Sequence, residues 1–255
     1  MKRTRNATAK LLALLLGVLG LLGLGHVGLA NAARSTALQI GRAGFRRPGE
    51  RVTYPGRDLE RPLAAVFTET ATITYTLAPD GAYEVVRAQI ERATQSLYYE
   101  GYLLTNVDLA EAIVGRLQAQ PGMTVTLLLD GAPAGGISDQ QRWICQQIED
   151  AGGQVYFMAA SDDVSPRYKA IYGRMLIVDE RLLLTGAGDL DYLTMPADDK
   201  ADGTVGRRGM WMATDAPGAV AHALDAFWQD VDPDQQGDLV RWSADHPVYG
   251  APPPD

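Results

Sequence analysis

From residue 71 onward, short apolar runs alternate with segments whose apolar positions recur every three to four residues, the pattern of an α/β domain. Ile73 to Leu77 reads as a first strand. Asp80 offers an N-cap, and Tyr83, Val86, Ile90 and Ala93 then fall on one face of a helix that ends before Ser96. Leu97 to Leu103 reads as the next strand. Leu109, Ile113 and Leu117 mark a second helix, stopped by Pro121-Gly122, and the unbroken apolar run Val125 to Leu129 suits a central strand followed by a loop, Asp130 to Gly136. Ser138 caps a third helix reaching Ala151. Gly152-Gly153 ends it, and Val155 to Met158 follows as a strand. Met175 to Val178 and Leu182 to Leu184 read as paired strands about the turn Asp179-Glu180-Arg181. Residues 189 to 208 read as a surface excursion before the strand Met210 to Ala213. Pro217 to Asp230 is the last helix, with Val220, Leu224 and Phe227 on its apolar face. Trp143 and Trp211 read as core, and the Pro-rich tail 243–255 has no regular structure.

The N-terminus follows different rules. Lys2, Arg3, Arg5 and Lys10 precede an apolar run from Leu11 to Leu24, and Ala30-Asn31-Ala32 supplies small residues for a signal peptidase, so residues 1–32 read as an export signal. The run is short of the roughly 20 residues of a membrane span, which disfavours an uncleaved anchor. Residues 33–70 hold seven arginines among scattered Gly and Pro and read as an extended arm, either a solvated linker packing on an acidic body or a basic tether.

Charge narrows the function classes. The chain carries −8, and losing residues 1–32 removes four basic and no acidic residues, leaving 19 Lys and Arg against 31 Asp and Glu, a formal −12. Such a balance disfavours general binding to nucleic acid or anionic lipid. Cys145 is the sole cysteine, so no intramolecular disulfide forms, and its neighbours Ile144 and Ile148 mark it as a buried thiol. The glycine-rich stretch Gly131 to Gly136 lacks both the Walker lysine and dinucleotide spacing, and reads as a loop over a cleft.

One spaced set carries candidate chemistry. Tyr172-Gly173-Arg174 is followed after four residues by Asp179, and after six more by Gly186-Ala187-Gly188-Asp189. Leu97 to Tyr102, Leu127 to Gly131 and Gly152 to Tyr156 flank this set in order. Together these stretches, across residues 71–242, resemble the phospholipase D superfamily, whose signature is His-x-Lys, four residues, Asp, six residues and Gly-Ser-x-Asn. The resemblance implies an α/β/α sandwich with a mixed β-sheet flanked by helices. It implies phosphodiester cleavage through a phospho-histidine, with a second histidine as acid and then base, and no metal or cofactor.

This chain departs from that pattern where the chemistry is done. Tyr172 stands at the nucleophile position, Arg174 replaces the lysine, and Asp189 replaces the asparagine. The other histidines of the mature chain, His222 and His246, lie on a helix and in the tail. A tyrosine attacks phosphorus only if a base or cation activates it, since a phenol of pKa near 10 is protonated at neutral pH. Arg174 can hold a phosphate bidentately, but Asp189 repels an anion unless Arg174 pairs with it. Carried over from the motif, Tyr172, Arg174 and Asp179 take the catalytic positions, and Arg174, Asp189 and Glu100 line the substrate. Arg167, Tyr168 and Lys169 read as a solvated loop beside the site. The expected function is therefore an exported, catalytically impaired domain that binds a phosphodiester, phospholipid or nucleic acid. One motif fills half of a two-motif site, which implies a homodimer or a partner chain carrying an intact motif. Two other readings stay open: a working phosphodiesterase acting as a dimer, and an exported interaction protein whose contacts lie in the arm or the acidic loop.

Overall fold

The computed structural model describes residues 52–54, 57–59, 68–160, 164, 166–197, 206–232 and 237–253. Residues 1–32, expected to be an export signal, most of the expected arm and the acidic stretch 198–205 lie outside them. In the arm, β1 (Val52–Tyr54) and β2 (Arg57–Leu59) pair antiparallel as their own two-stranded sheet.

The body alternates as the apolar pattern predicts: β3 (Ile73–Ala78), α1 (Ala82–Arg92), β4 (Ser96–Gly101), α2 (Val107–Ala119), β5 (Thr124–Asp130), α3 (Asp139–Asp150) and β6 (Gln154–Met158). Then come β7 (Met175–Val178), β8 (Leu182–Gly186), β9 (Gly209–Thr214), α4 (Pro217–Asp230) and β10 (Leu239–Arg241). Eight strands form one mixed sheet in the order β10-β6-β5-β4-β7-β8-β9-β3. Only β4-β5 and β5-β6 are parallel. Helices α1, α2 and α3 cover one face, burying Val86, Ile90, Leu109, Ile113, Ile144 and Cys145 against Tyr99, Leu127, Phe157 and Trp211. Helix α4 covers the other, where Val220, Ala223 and Phe227 meet Tyr98, Leu128 and Ile177. The result is the expected α/β/α sandwich.

Local signals explain the boundaries. Ser138 accepts the Gln141 N–H as the predicted cap of α3, and Asn106 does the same for Leu109 at the start of α2. Asp80 does not cap α1; Gly81 takes that position at φ 127°, and Asp80 instead pairs with Arg208 at 2.7 Å. Strand β4 stops at Gly101 rather than Leu103, because the buried Tyr99 hydroxyl turns back to donate to the Leu103 carbonyl at 3.0 Å. The turn after β7 holds Asp179 and Glu180 at φ 51° and 54°, a left-handed pair that closes the β7-β8 hairpin.

Four other expectations are corrected. Trp143 is 36% exposed, while Trp211 is buried, so only the second is core. Arg167 is buried rather than solvated. The excursion from residue 189 is anchored: Leu190 bridges Leu104, and Leu190 and Met195 are fully buried. The tail is also docked, since Tyr249 stacks on Phe157 at 4.4 Å while donating to the Gly131 carbonyl. Among the described residues, no helix is long and apolar enough to cross a membrane.

Candidate functional site

The chain runs β4, β5, β6 in one direction across the sheet and then returns to lay β7 on the far side of β4. The reversal brings the amino end of β7 beside the carboxyl end of β4, the kind of strand end at which open α/β sheets bind ligands. The loop that enters β7 is held there by carboxylates. Asp238 accepts the Arg167 N–H at 2.7 Å, and Asp130, at the end of β5, accepts the Ile171 N–H at 2.8 Å. Tyr172, Gly173 and Arg174 follow at once, immediately before β7 and beside the carboxyl end of β4.

Arg174 is the centre of the site. Its backbone sits at φ 41°, a left-handed conformation that is strained for a long side chain. Its guanidinium donates from Nε to Asp189 Oδ1 at 2.8 Å and from Nη2 toward Oδ2 at 3.4 Å, and it lies 4.7 Å from the Tyr172 ring centroid. Tyr172 is 58% exposed and stacks on Tyr102 at 5.0 Å. The Tyr102 hydroxyl in turn accepts the Ala134 N–H, tying the glycine-rich loop to this aromatic ledge. Burial pushes the Asp189 carboxyl up, against the pull of Arg174, and the charge of Asp191 adds to the rise. Arg207, 3.7 Å from Asp191 and 65% exposed, is the other cation at the rim. Two arginines thus face two aspartates, and Arg174 already holds a carboxylate in its fork.

Glu100 is not part of this group. Alternation along β4 places Tyr99 on the face of α1 to α3, where Arg174 and Asp189 act on its hydroxyl. Glu100 falls with Tyr98 on the face of α4. There it shares a buried cluster with Arg167, Asp230 and Asp238. Arg167 is saturated: it donates to both oxygens of Asp238, to Asp230 Oδ1 at 2.7 Å and to the Asp230 carbonyl. Glu100 has no such share, and its buried Oε2 has no hydrogen-bond partner. Burial, then the Asp230 charge, raise its pKa to about 8 against a smaller pull from Arg167, so it is mainly a neutral acid at pH 7. Its Oε1 lies 2.9 Å from where a Cβ on Gly173 would stand, so a side chain at position 173 would push the buried Glu100 carboxyl aside.

Asp179 is not brought to the site either. It lies beyond the far end of β7, five residues from Arg174 and so about 16 Å away along an extended strand. Its carboxylate accepts from the backbone of Thr94, Gln95 and Ser96 at 2.7–3.1 Å and from the Thr94 hydroxyl, clamping the α1-β4 turn. Burial would raise its pKa, but these N–H groups outweigh it and hold the carboxyl below the ordinary value. The histidines stay apart: His246 Nδ1 accepts from Val248 and Tyr249 N–H in the tail, and His222 rides on α4. Among the described residues, no group of His, Cys, Asp and Glu is arranged to hold a metal.

Sequence reasoning missed Tyr102, Arg207, Asp230 and Asp238 as members of these clusters. Tyr102 carried a signal, since it ends the β4 motif stretch. The others did not, because each comes from an element more than 30 residues from Arg174 and carries no motif of its own.

No protein-family model and no curated protein matches the sequence. Solved structures do match in shape. Nuc from Salmonella typhimurium, a phospholipase D family member, superposes with a TM-score of 0.52 at 16% identity, over 68% of this chain and 98% of that one. NucT from Helicobacter pylori gives 0.49 at 14% identity, over 67% and 99%. The phosphatidylserine synthase of Haemophilus influenzae Rd KW20 gives 0.45 at 12%, over 67% of this chain and 40% of that one. With the mixed eight-stranded sheet, the helices on both faces and the superposition on Nuc together, the chain has the phospholipase D superfamily fold.

Proposed function

We propose that this is an exported phospholipase D-like protein that binds phosphate or phosphodiester groups at Arg174 without cleaving them. The observation that carries the reading is the Arg174–Asp189 pair. A carboxylate in the fork of a guanidinium occupies the place of a phosphoryl oxygen pair, so the site has anion-binding geometry and holds an internal anion. A phosphate must displace Asp189, and the half-buried setting of Arg174 strengthens whichever anion it keeps.

Cleavage lacks its parts. The motif position is Tyr172, whose neighbours are Tyr102 and a cation already engaged, and both described histidines lie elsewhere. The protonated Glu100 is an acid of suitable pKa, but it belongs to the buried cluster with Arg167 and Asp230 on the α4 side of β4 rather than to the Arg174–Asp189 pair. Asp179 contributes by fixing the turn behind β4, a structural task. Lipid and nucleic acid share the phosphodiester that Arg174 recognises, and export rests on residues 1–32.

The test pairs turnover with binding. Bis(p-nitrophenyl) phosphate and a chelator are given to the purified chain, Tyr172→Phe, and Tyr172→His combined with Arg174→Lys. No turnover by the first two supports the reading, and a trace in the third strengthens it; turnover abolished by Tyr172→Phe refutes it. In parallel, inorganic phosphate should bind Asp189→Asn several-fold more tightly than the unaltered chain, and Arg174→Ala not at all.

A further inference from the structure

The sheet ends at β3 in an unusual way. Natural edge strands are blunted with charges, proline or a covering segment, because their unpaired N–H and C=O groups invite another strand. Ile73 to Ala78 carries no charge and no proline, and among the described residues no strand pairs with its outer side. Its exposed side chains are apolar as well: Ile73 is 61% exposed, Tyr75 58% and Leu77 41%. All three fall on the face of α4, whose main packing is over β7 and β8. Met210, opposite Leu77 on β9, extends the patch at 48% exposure.

The strand is also self-complementary. Ile73-Thr74-Tyr75-Thr76-Leu77 reads aliphatic, Thr, Tyr, Thr, aliphatic in both directions. We propose that two copies of the chain join through β3, antiparallel about a twofold axis at Tyr75. Tyr75 then faces its own copy, Ile73 faces Leu77, and Thr74 faces Thr76, the aromatic, aliphatic and hydroxyl cross-strand pairs that stabilise sheets. A register one residue away would set apolar side chains against the threonine face, so the pattern fixes the alignment. The same face stays apolar across the seam, and the two sheets become one.

Because β8 and β9 stand between β7 and β3, each Arg174, at the start of β7, lies three strand spacings, about 14 Å, from the edge strand at the seam. The pairing therefore leaves the two sites independent of each other. It does not rest on the proposed phosphate binding and survives if that fails.

A site-specific disulfide tests this. Residues on the axis of an antiparallel pair have Cα atoms about 5 Å apart, within disulfide reach, whereas residues five positions away are separated from their copies by about 34 Å. Cys145 is fully buried and stays silent. Tyr75→Cys should form a covalent dimer under mild oxidation, and Asp80→Cys should not. Light scattering of the purified chain at tens of micromolar should give twice the 27.5 kDa monomer mass. Tyr75→Asp, which sets two like charges against each other, should return the monomer mass with unchanged circular dichroism. A monomeric unaltered chain, a dimer indifferent to Tyr75→Asp, or no cross-link at Tyr75→Cys would each overturn the proposal.

Discussion

Replacing Glu100 with Gln should make the protein progressively more stable than the unaltered chain as pH rises. Glu100 is almost fully buried, lacks a hydrogen bond at Oε2, and shares its surroundings with Asp230 while Arg167 is committed to Asp230 and Asp238. Its pKa rises from 4.5 to about 8 on folding. A carboxyl raised in this way costs nothing below its unfolded value, since it is protonated in both states. Above that value the unfolded chain releases the proton and the folded chain does not, so stability falls until the folded group also ionises near pH 8. At ~1.4 kcal/mol per pH unit the full loss is about 4–5 kcal/mol, a ceiling that water entry would lower. Gln has the same shape and no charge, and whatever its amide costs is independent of pH. Urea unfolding followed by tryptophan fluorescence, run on both proteins at pH 5.5 and 8.5, isolates the titration of the Glu100 cluster, because groups that do not interact with Glu100 cancel in the difference. A gap that widens by at least 2 kcal/mol between the two pH values is expected. An equal gap at both would refute the assignment of Glu100 as the proton-holding member of the cluster.

Arg167→Ala should destabilise by about 3–5 kcal/mol in the same assay, because it leaves Asp230 and Asp238 buried without their cation; a loss under 1 kcal/mol would show that water reaches them. Asp179→Ala should cost about 1–3 kcal/mol by orphaning three backbone N–H groups, yet leave phosphate binding unchanged; a selective loss of binding would return Asp179 to the site. Unlike Glu100, Asp179 has a lowered pKa, so its contribution is present above the ordinary carboxyl value and disappears as pH falls through the folded one, where the variant and the unaltered chain should converge. Gly173→Ala should destabilise by about 1–3 kcal/mol through the added methyl against Glu100 Oε1, and Glu100→Ala in the same chain should relieve most of that cost; additive losses would show that the two do not touch.

The sandwich was legible because it depends on periodicity. Val86 with Ile90 and Leu109 with Ile113 and Leu117 recur at helical spacing, while the short, mostly apolar run Val125 to Leu129 before a glycine-rich loop suits a strand buried on both faces. Strand β10 and the docked tail escaped notice because three residues and a single Tyr249 carry no period; their burial comes from Phe157, more than 80 residues upstream. The site was legible as a spacing but not as a geometry. Tyr172, Arg174 and Asp189, read together from their spacing, lie side by side in the fold. Glu100 and Asp179 bear the same kind of signal, yet one points through the sheet and the other lies at the wrong end of β7.

By itself, then, the sequence determined the alternation of strands and helices from β3 to α4 and the apolar face of each of those helices, since these are local properties of residue type and spacing. Only the tertiary structure decided that Asp189 fills the fork of Arg174, that Arg167 is buried among carboxylates, and that Glu100 keeps its proton. Each of those outcomes depends on which distant charges share a low-dielectric pocket, and that is set by how the strands are ordered in the sheet rather than along the chain.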